Sequence, residues 1–161
     1  MEVRNKVRGI AYDFDVAKVT VVGVPDRPGI AAALFQPLAA AGISVDTIVQ
    51  NASINNITDL TFTVAKSQLN KAMEVVKPIA RSIGARECVS DAKLGKVSII
   101  GTGMQNTPGY AARMFNALAE KGINIQLITT SEIRITCIID ESSVKDAVRA
   151  LHKAFELEKE E

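Results

Sequence analysis

An internal repeat of long period constrains this chain more than any other feature. The stretch Lys18-Val19-Thr20-Val21-Val22-Gly23 returns as Lys96-Val97-Ser98-Ile99-Ile100-Gly101, 78 positions later. Past a longer loop the spacing becomes 80: Pro28-Gly29 matches Pro108-Gly109, Phe35 matches Phe115, Leu38 matches Leu118, and Gly42-Ile43 matches Gly122-Ile123. Such spacing means two copies of one supersecondary unit. The length of 161 residues, 47% of them hydrophobic, suits two small packed domains.

Each copy opens on a β-branched run, residues 19–24 or 97–100, that suits a buried strand. A Pro-Gly turn then leads into a helix, with Pro28 expected in the first helical turn, where its missing N–H costs nothing. Gly42 and Gly122 stand where a left-handed C-terminal cap ends that helix. Residues 45–50 and 57–64 flank a turn-like stretch and predict a hairpin; residues 125–129 and 133–139 are its counterpart, with a connection about five residues shorter.

A second helix follows in each copy. Leu69, Met73, Val76, Ala80 and Ile83 share one face, as do Val144, Ala147, Val148, Leu151 and Phe155, the period of a helix lying on a sheet. Pro78 is expected to kink or break the first of these, and Ser143 with Asp146 has the spacing of a capping box. Residues 86–90 supply a closing strand to the first copy, giving the ferredoxin-like order βαββαβ. The second copy lacks one, and residues 156–161 are too charged to serve and are expected to fray. Residues 7–14 have strand character and no role in the first copy. The expectation is therefore an α+β protein in which domain 16–92 is inserted into a domain made of 1–15 and 93–161.

The traces of catalysis are missing. The lone His152 sits near a helix end, where it suits the helix dipole. Cys88 and Cys137 lie in apolar runs without metal or redox spacing and read as reduced, buried thiols, and no cluster has metal-ligand spacing. Gly101-Thr102-Gly103 follows a strand, but Asn106 replaces the third glycine of a dinucleotide fingerprint and no Walker lysine follows, so a tight turn is expected. No cofactor is implied. Lysine plus arginine (19) nearly balances aspartate plus glutamate (18), and aromatics make up only 4%, which speaks against a nucleic-acid surface. No apolar run is long enough for a bilayer span, and the charged start is unlike a secretory signal, so no membrane partner and a cytoplasmic location are expected.

What remains is the pair of strand-to-helix turns, residues 24–30 and 102–110. A helix N-terminus offers unpaired N–H groups and partial positive charge to a carboxylate, while Asp26 suits an ammonium group. A zwitterionic amino acid carries both charges.

These turns also carry a family resemblance. Gly23-Val24-Pro25-Asp26-Arg27-Pro28-Gly29-Ile30-Ala31, Ile43-Ser44-Val45-Asp46-Thr47-Ile48-Val49-Gln50-Asn51 and Thr58-Asp59-Leu60-Thr61-Phe62-Thr63 resemble the first ACT domain of aspartate kinase. Lys96-Val97-Ser98 through Gly103-Met104, then Gly122-Ile123-Asn124-Ile125 and Thr129-Thr130-Ser131-Glu132-Ile133-Arg134, resemble its second. The resemblance covers nearly the whole chain. It implies a regulatory region that binds threonine or lysine and inhibits phosphorylation of aspartate, made in some members as a separate β subunit beside a catalytic α subunit. The kinase half is absent from the sequence, so the chain is not expected to be an enzyme on its own.

Carried over by position, the resemblance implies effector contacts from Asp26, Arg27, Pro28, Gly29, Ile30, Ala31, Ser44, Val45, Asp46 and Gln50 of the first domain. Tyr110, Ala111, Asn124, Ile125, Ser131 and Glu132 follow from the second domain of a partner chain, with a homodimer as the assembly. Two other classes stay open. One is a dimerisation module that assembles the kinase without sensing. The other, an acyl-phosphate hydrolase on the same fold, needs an arginine and an asparagine at one loop, whereas Arg27 and Asn106 lie in different copies.

Overall fold

The structure, a computed structural model, describes residues 6–157; the start of the chain at 1–5 and the tail at 158–161 lie outside the described residues. Six strands and four helices follow in the order β1 (Val7–Pro25), α1 (Ile30–Ala40), β2 (Ile48–Gln50), β3 (Ile57–Val64), α2 (Leu69–Ser82), β4 (Glu87–Gly101), α3 (Tyr110–Glu120), β5 (Ile125–Thr130), β6 (Arg134–Asp140) and α4 (Val144–Ala154). The chain divides into an inserted unit, Asp15–Ala92, and an outer unit that joins Lys93 onward to the strand ahead of Asp15. The strand order is β2-β3-β1-β4 in the inserted unit and β1-β4-β6-β5 in the outer one. Taken in chain order within each unit, both are the ferredoxin-like arrangement, and the first unit is inserted in the second, as the sequence predicts.

The sequence suggests four separate strands where the structure has two long ones. The leading strand at 7–14 runs straight into the first repeat strand as β1, and the closing strand near residue 86 runs into the second repeat strand as β4. Neither junction carries a Gly-Pro break, so nothing interrupts the extended backbone.

Alternation decides which faces are buried. In β3, Leu60, Phe62 and Val64 turn inward onto Leu34, Leu38 and Val76 from α1 and α2, forming the inserted core. Val97, Ile99, Cys137 and Ile139 meet Met114, Leu118, Leu151 and Phe155 in the outer core. Fully burying one such side chain contributes roughly 1.5–3 kcal/mol. Burial pushes the Cys137 thiol up to about 12, so it stays protonated. Cys88 is only partly buried, contrary to expectation, because its strand lies at the margin of the inserted core; burial raises its thiol and Lys77 opposes the shift.

Three local expectations need correction. Pro28 lies outside α1, whose N-cap is Gly29 at φ 92°, so the proline shapes the preceding turn. Pro78 does not end α2, which continues to Ser82; its ring faces outward, where solvent can take the carbonyl that loses its helix partner. Ser143 does not cap α4 through its side chain. A short 3-10 turn at Glu141–Ser143 shifts that role upstream to Asp140, whose carboxylate accepts the Ser142 N–H at 3.1 Å and its hydroxyl at 3.0 Å.

Those two bonds hold the Asp140 carboxyl below its ordinary value of 3.8, with help from nearby Lys93. Because the native form binds its proton less readily than the unfolded chain, the stabilising effect is present above pH 3.8 and fades as pH falls through the native value. Asp140→Ala is expected to lower stability at neutral pH, Asp140→Asn to keep the cap but remove its acid dependence, and Ser143→Ala to change little; urea midpoints from pH 2 to 7 check all three.

Candidate functional site

Each unit brings its strand-to-helix turn against the loop of its hairpin. In the inserted unit, β1 bulges between Val21 and Val24 around Gly23, whose φ of 70° permits the kink. The Asp59 carboxylate accepts the Gly23 N–H at 2.9 Å, and the Arg86 N–H bonds the Val22 carbonyl at 2.8 Å, so the bulge is pinned from β3 and from the residue just ahead of β4. The turn beyond it is fastened to the hairpin loop where Asp26 N–H donates to the Asn56 carbonyl at 2.8 Å. Asp26, Arg27, Pro28, Gly29 and Ala31 are exposed there, while Ile30 points into the core. The α1 N-terminus has no side-chain cap, and Ile30 N–H makes only a long bond, 3.4 Å, to the Arg27 carbonyl. Ser44 and Asp46 are exposed on the coil after α1, Val45 packs on the core, and Gln50 is exposed at the end of β2.

The outer unit builds the same turn with an extra fold in it. A 3-10 turn at Met104–Asn106 bends the loop back, and the Thr107 hydroxyl donates to the Gly103 carbonyl at 3.3 Å. Gly109 at φ 102° is the N-cap of α3, again without a side-chain cap. Only glycine holds that angle without strain, and with no side chain it leaves the helix's first N–H groups open to a ligand. Opposite, Ser131 closes the hairpin loop: its N–H donates to the Arg134 carbonyl at 2.8 Å and its hydroxyl accepts the Arg134 N–H at 3.1 Å.

Between these two loops lies a cleft of about 530 Å3, lined by Met104, Gln105, Thr107, Pro108, Gly109, Tyr110, Ala111, Thr130, Ser131, Glu132 and Ile135. That volume falls in the range of small-molecule sites, roughly 300–1,000 Å3. Of the residues expected from the second copy, Tyr110, Ala111, Ser131 and Glu132 meet here. Asn124 and Ile125 are not among the lining residues: Asn124 is exposed after α3, and Ile125 packs on the outer core. Gln105, Thr107 and Thr130 were not singled out by sequence. The signal existed, since Thr107 aligns with Arg27 in the repeat, but the inward bend of the 3-10 turn leaves no sequence trace.

The chemistry is mixed in a useful way. Open N–H groups at the start of α3 favour an anion, and Glu132 favours a cation. Thr107, Thr130, Ser131 and Gln105 add neutral hydrogen-bonding groups, and Met104, Pro108 and Ile135 add apolar wall. Among the described residues no group of three or more His, Cys, Asp or Glu could hold a metal ion, and no helix is long and apolar enough to cross a membrane.

Comparison with known proteins identifies the family of both units. Residues 18–81 and 97–155 each match a family model described as ACT domain. The aspartokinase of Pseudomonas aeruginosa is 50% identical over 152 residues, which make up 94% of this chain and 37% of that protein. The aspartokinase of Thermus thermophilus is 43% identical over 161 residues, covering 99% of this chain and 40% of that one. The chain thus spans well under half the length of these relatives. Among solved structures, the ligand-free regulatory subunit of aspartate kinase from Thermus thermophilus superposes with a TM-score of 0.89 at 43% identity, covering 93% of this chain and 99% of that one. A chain in a crystal structure of aspartokinase alpha and beta subunits gives 0.87 at 44%, with the same coverage. Both units are therefore ACT domains, and the chain belongs to the aspartokinase family.

Proposed function

We propose that this chain is the regulatory part of an aspartokinase and senses threonine, lysine or both. An effector bound where ACT domains of two copies meet would favour one dimer arrangement. That arrangement would slow phosphate transfer from ATP to aspartate by a catalytic alpha subunit, a feedback inhibition of amino-acid biosynthesis. The effector can shift the kinase only by its differential affinity for the two arrangements. The observation that carries the reading is the cleft at the start of α3, where uncapped N–H groups and the Glu132 carboxylate stand ready for the two ends of a free amino acid.

Two further features support it. The inserted unit repeats the uncapped helix start at Gly29, with Asp26 exposed beside it as an ammonium partner. The edge strands β2 and β5 leave Ile48 and Ile128 about half exposed, at 55% and 47%, which suits burial against a second copy. That same exposure favours the second reading, a module that assembles the kinase without sensing. Ligand titration separates the two.

Calorimetric titration with threonine, with lysine and with both is expected to show saturable binding. At a hundredfold excess over Kd, linkage adds about 2.7 kcal/mol, a rise in Tm on the order of 5–10 °C. Glu132→Gln is expected to weaken binding roughly ten- to hundredfold, the loss of a charge-assisted bond. No heat and no thermal shift with either amino acid would leave the assembly role standing in its place.

A further inference from the structure

Tyr110 works at two places. It opens α3 and is one of the residues lining the cleft, yet it is nearly buried, its ring lying parallel to Phe155 with centroids 6.3 Å apart and planes 12° apart. Its hydroxyl is not free to serve a ligand as an acceptor without competition, because it accepts the main-chain N–H of Lys6 at 2.9 Å, across 104 positions of sequence. Lys6 immediately precedes β1, and the next residue, Val7, is 1% exposed in the outer core.

Lys6 is gripped from its other side as well. Gly101, the last residue of β4, lies so close to the Lys6 carbonyl that any side-chain carbon at position 101 would collide with it. A side-chain carbon at Gly103 would sit 3.2 Å from Lys6 Nζ. Gly101 is not part of the cleft lining. The start of the crossed-over strand is therefore held in a socket made by Gly101, Gly103 and the Tyr110 hydroxyl, directly behind the helix end that faces the cleft.

We infer that Tyr110 is a positioning residue through which occupancy of the cleft and seating of the first strand are coupled; this rests on the reading of the cleft as an amino-acid site. An occupant bonded to the N–H groups at the start of α3 fixes the backbone of Tyr110, which fixes its ring against Phe155 and its hydroxyl against Lys6. A strand that slips from the socket removes the donor from that hydroxyl and loosens the same helix end. Because coupling free energy is reciprocal, whatever tightens the strand must tighten ligand binding, and the converse holds. One ordinary hydrogen bond sets the scale, about fivefold in an equilibrium.

The test is hydrogen–deuterium exchange on the full chain with saturating threonine or lysine, together with titration of variants. In the unaltered protein, ligand is expected to slow exchange at residues 6–10 by about fivefold. Tyr110→Phe keeps the ring and removes the acceptor; it should weaken binding by about fivefold and abolish the ligand-dependent protection at 6–10. Gly101→Ala displaces Lys6 from a position outside the cleft lining and should weaken binding similarly, and the double variant should be no worse than either single one. If Gly101→Ala fails to fold, Tyr110→Phe decides through its exchange pattern. Binding with unchanged exchange at 6–10, or losses that simply add, overturns the coupling alone. Absence of binding to either amino acid overturns the coupling and the amino-acid reading together.

Discussion

Phe155→Ala is expected to destabilise the outer unit by about 3–5 kcal/mol, a large share of the stability of a domain of this size. Phe155 is fully buried, stands just past the end of α4, and closes the core beneath α3. Its ring is the base on which Tyr110 lies, and the Arg113 guanidinium sits 4.8 Å from its centroid while also donating to the Ala154 carbonyl. Aromatic stacking and the cation contact each add about 0.5–1.5 kcal/mol beyond apolar burial. Phe155→Leu keeps much of the volume and loses only those terms, so it should fall near a third of the alanine effect. Urea unfolding monitored by far-UV circular dichroism checks both, and equal losses in the two variants would show that the aromatic contacts carry the site.

Removing residues 1–14 is expected to do more still. The outer unit would lose its fourth strand, with Val7 leaving the core and one side of β4 left without its neighbour. Losing that outermost strand turns β4 into the edge of the outer unit's sheet, with a row of unpaired N–H and C=O groups that invites aggregation. Cooperative protection should vanish across β4 to α4 beyond Lys93, whereas residues 15–92, which contain all four strands of their own sheet, should keep theirs. Amide exchange by NMR reads the two sets separately. A shortened chain that still protects Val97, Ile99 and Cys137 would show that β1 is dispensable to that unit.

The repeat made much of this architecture readable because a buried strand and an amphipathic helix each impose a period on sequence, and the same periods appear twice. The inserted arrangement followed from counting: one copy had four strands and the other three, with a spare strand at residues 7–14. What sequence missed was governed by contacts distant along the chain or by backbone angles. Asp140 took the capping role from Ser143 because a 3-10 turn intervened, and short Asp and Ser spacings cannot tell which of two neighbouring turns comes first. Pro28 misled because the left-handed Gly29 occupies the N-cap, a choice set by the turn as a whole. Half of the cleft was visible as the repeated Pro-Gly turn, while Gln105 and Thr107 reach it only through the bend at Met104–Asn106.

The insertion also imposes an order of events on the ribosome. The unit Asp15–Ala92 is contiguous and has every strand it needs once its last residue is made. The strand at 7–14 is synthesised before the insert yet belongs with partners that begin at Lys93, and the Lys6–Tyr110 contact spans 104 positions. Closing so long a loop from an open coil costs entropy before any contact repays it. Completion of the inserted unit lowers that cost, because it holds both ends of the connection, the lower part of β1 and the start of β4, as neighbours in one finished sheet. The inserted domain is thereby expected to fold first, and a mutation that slows its closure is expected to delay both.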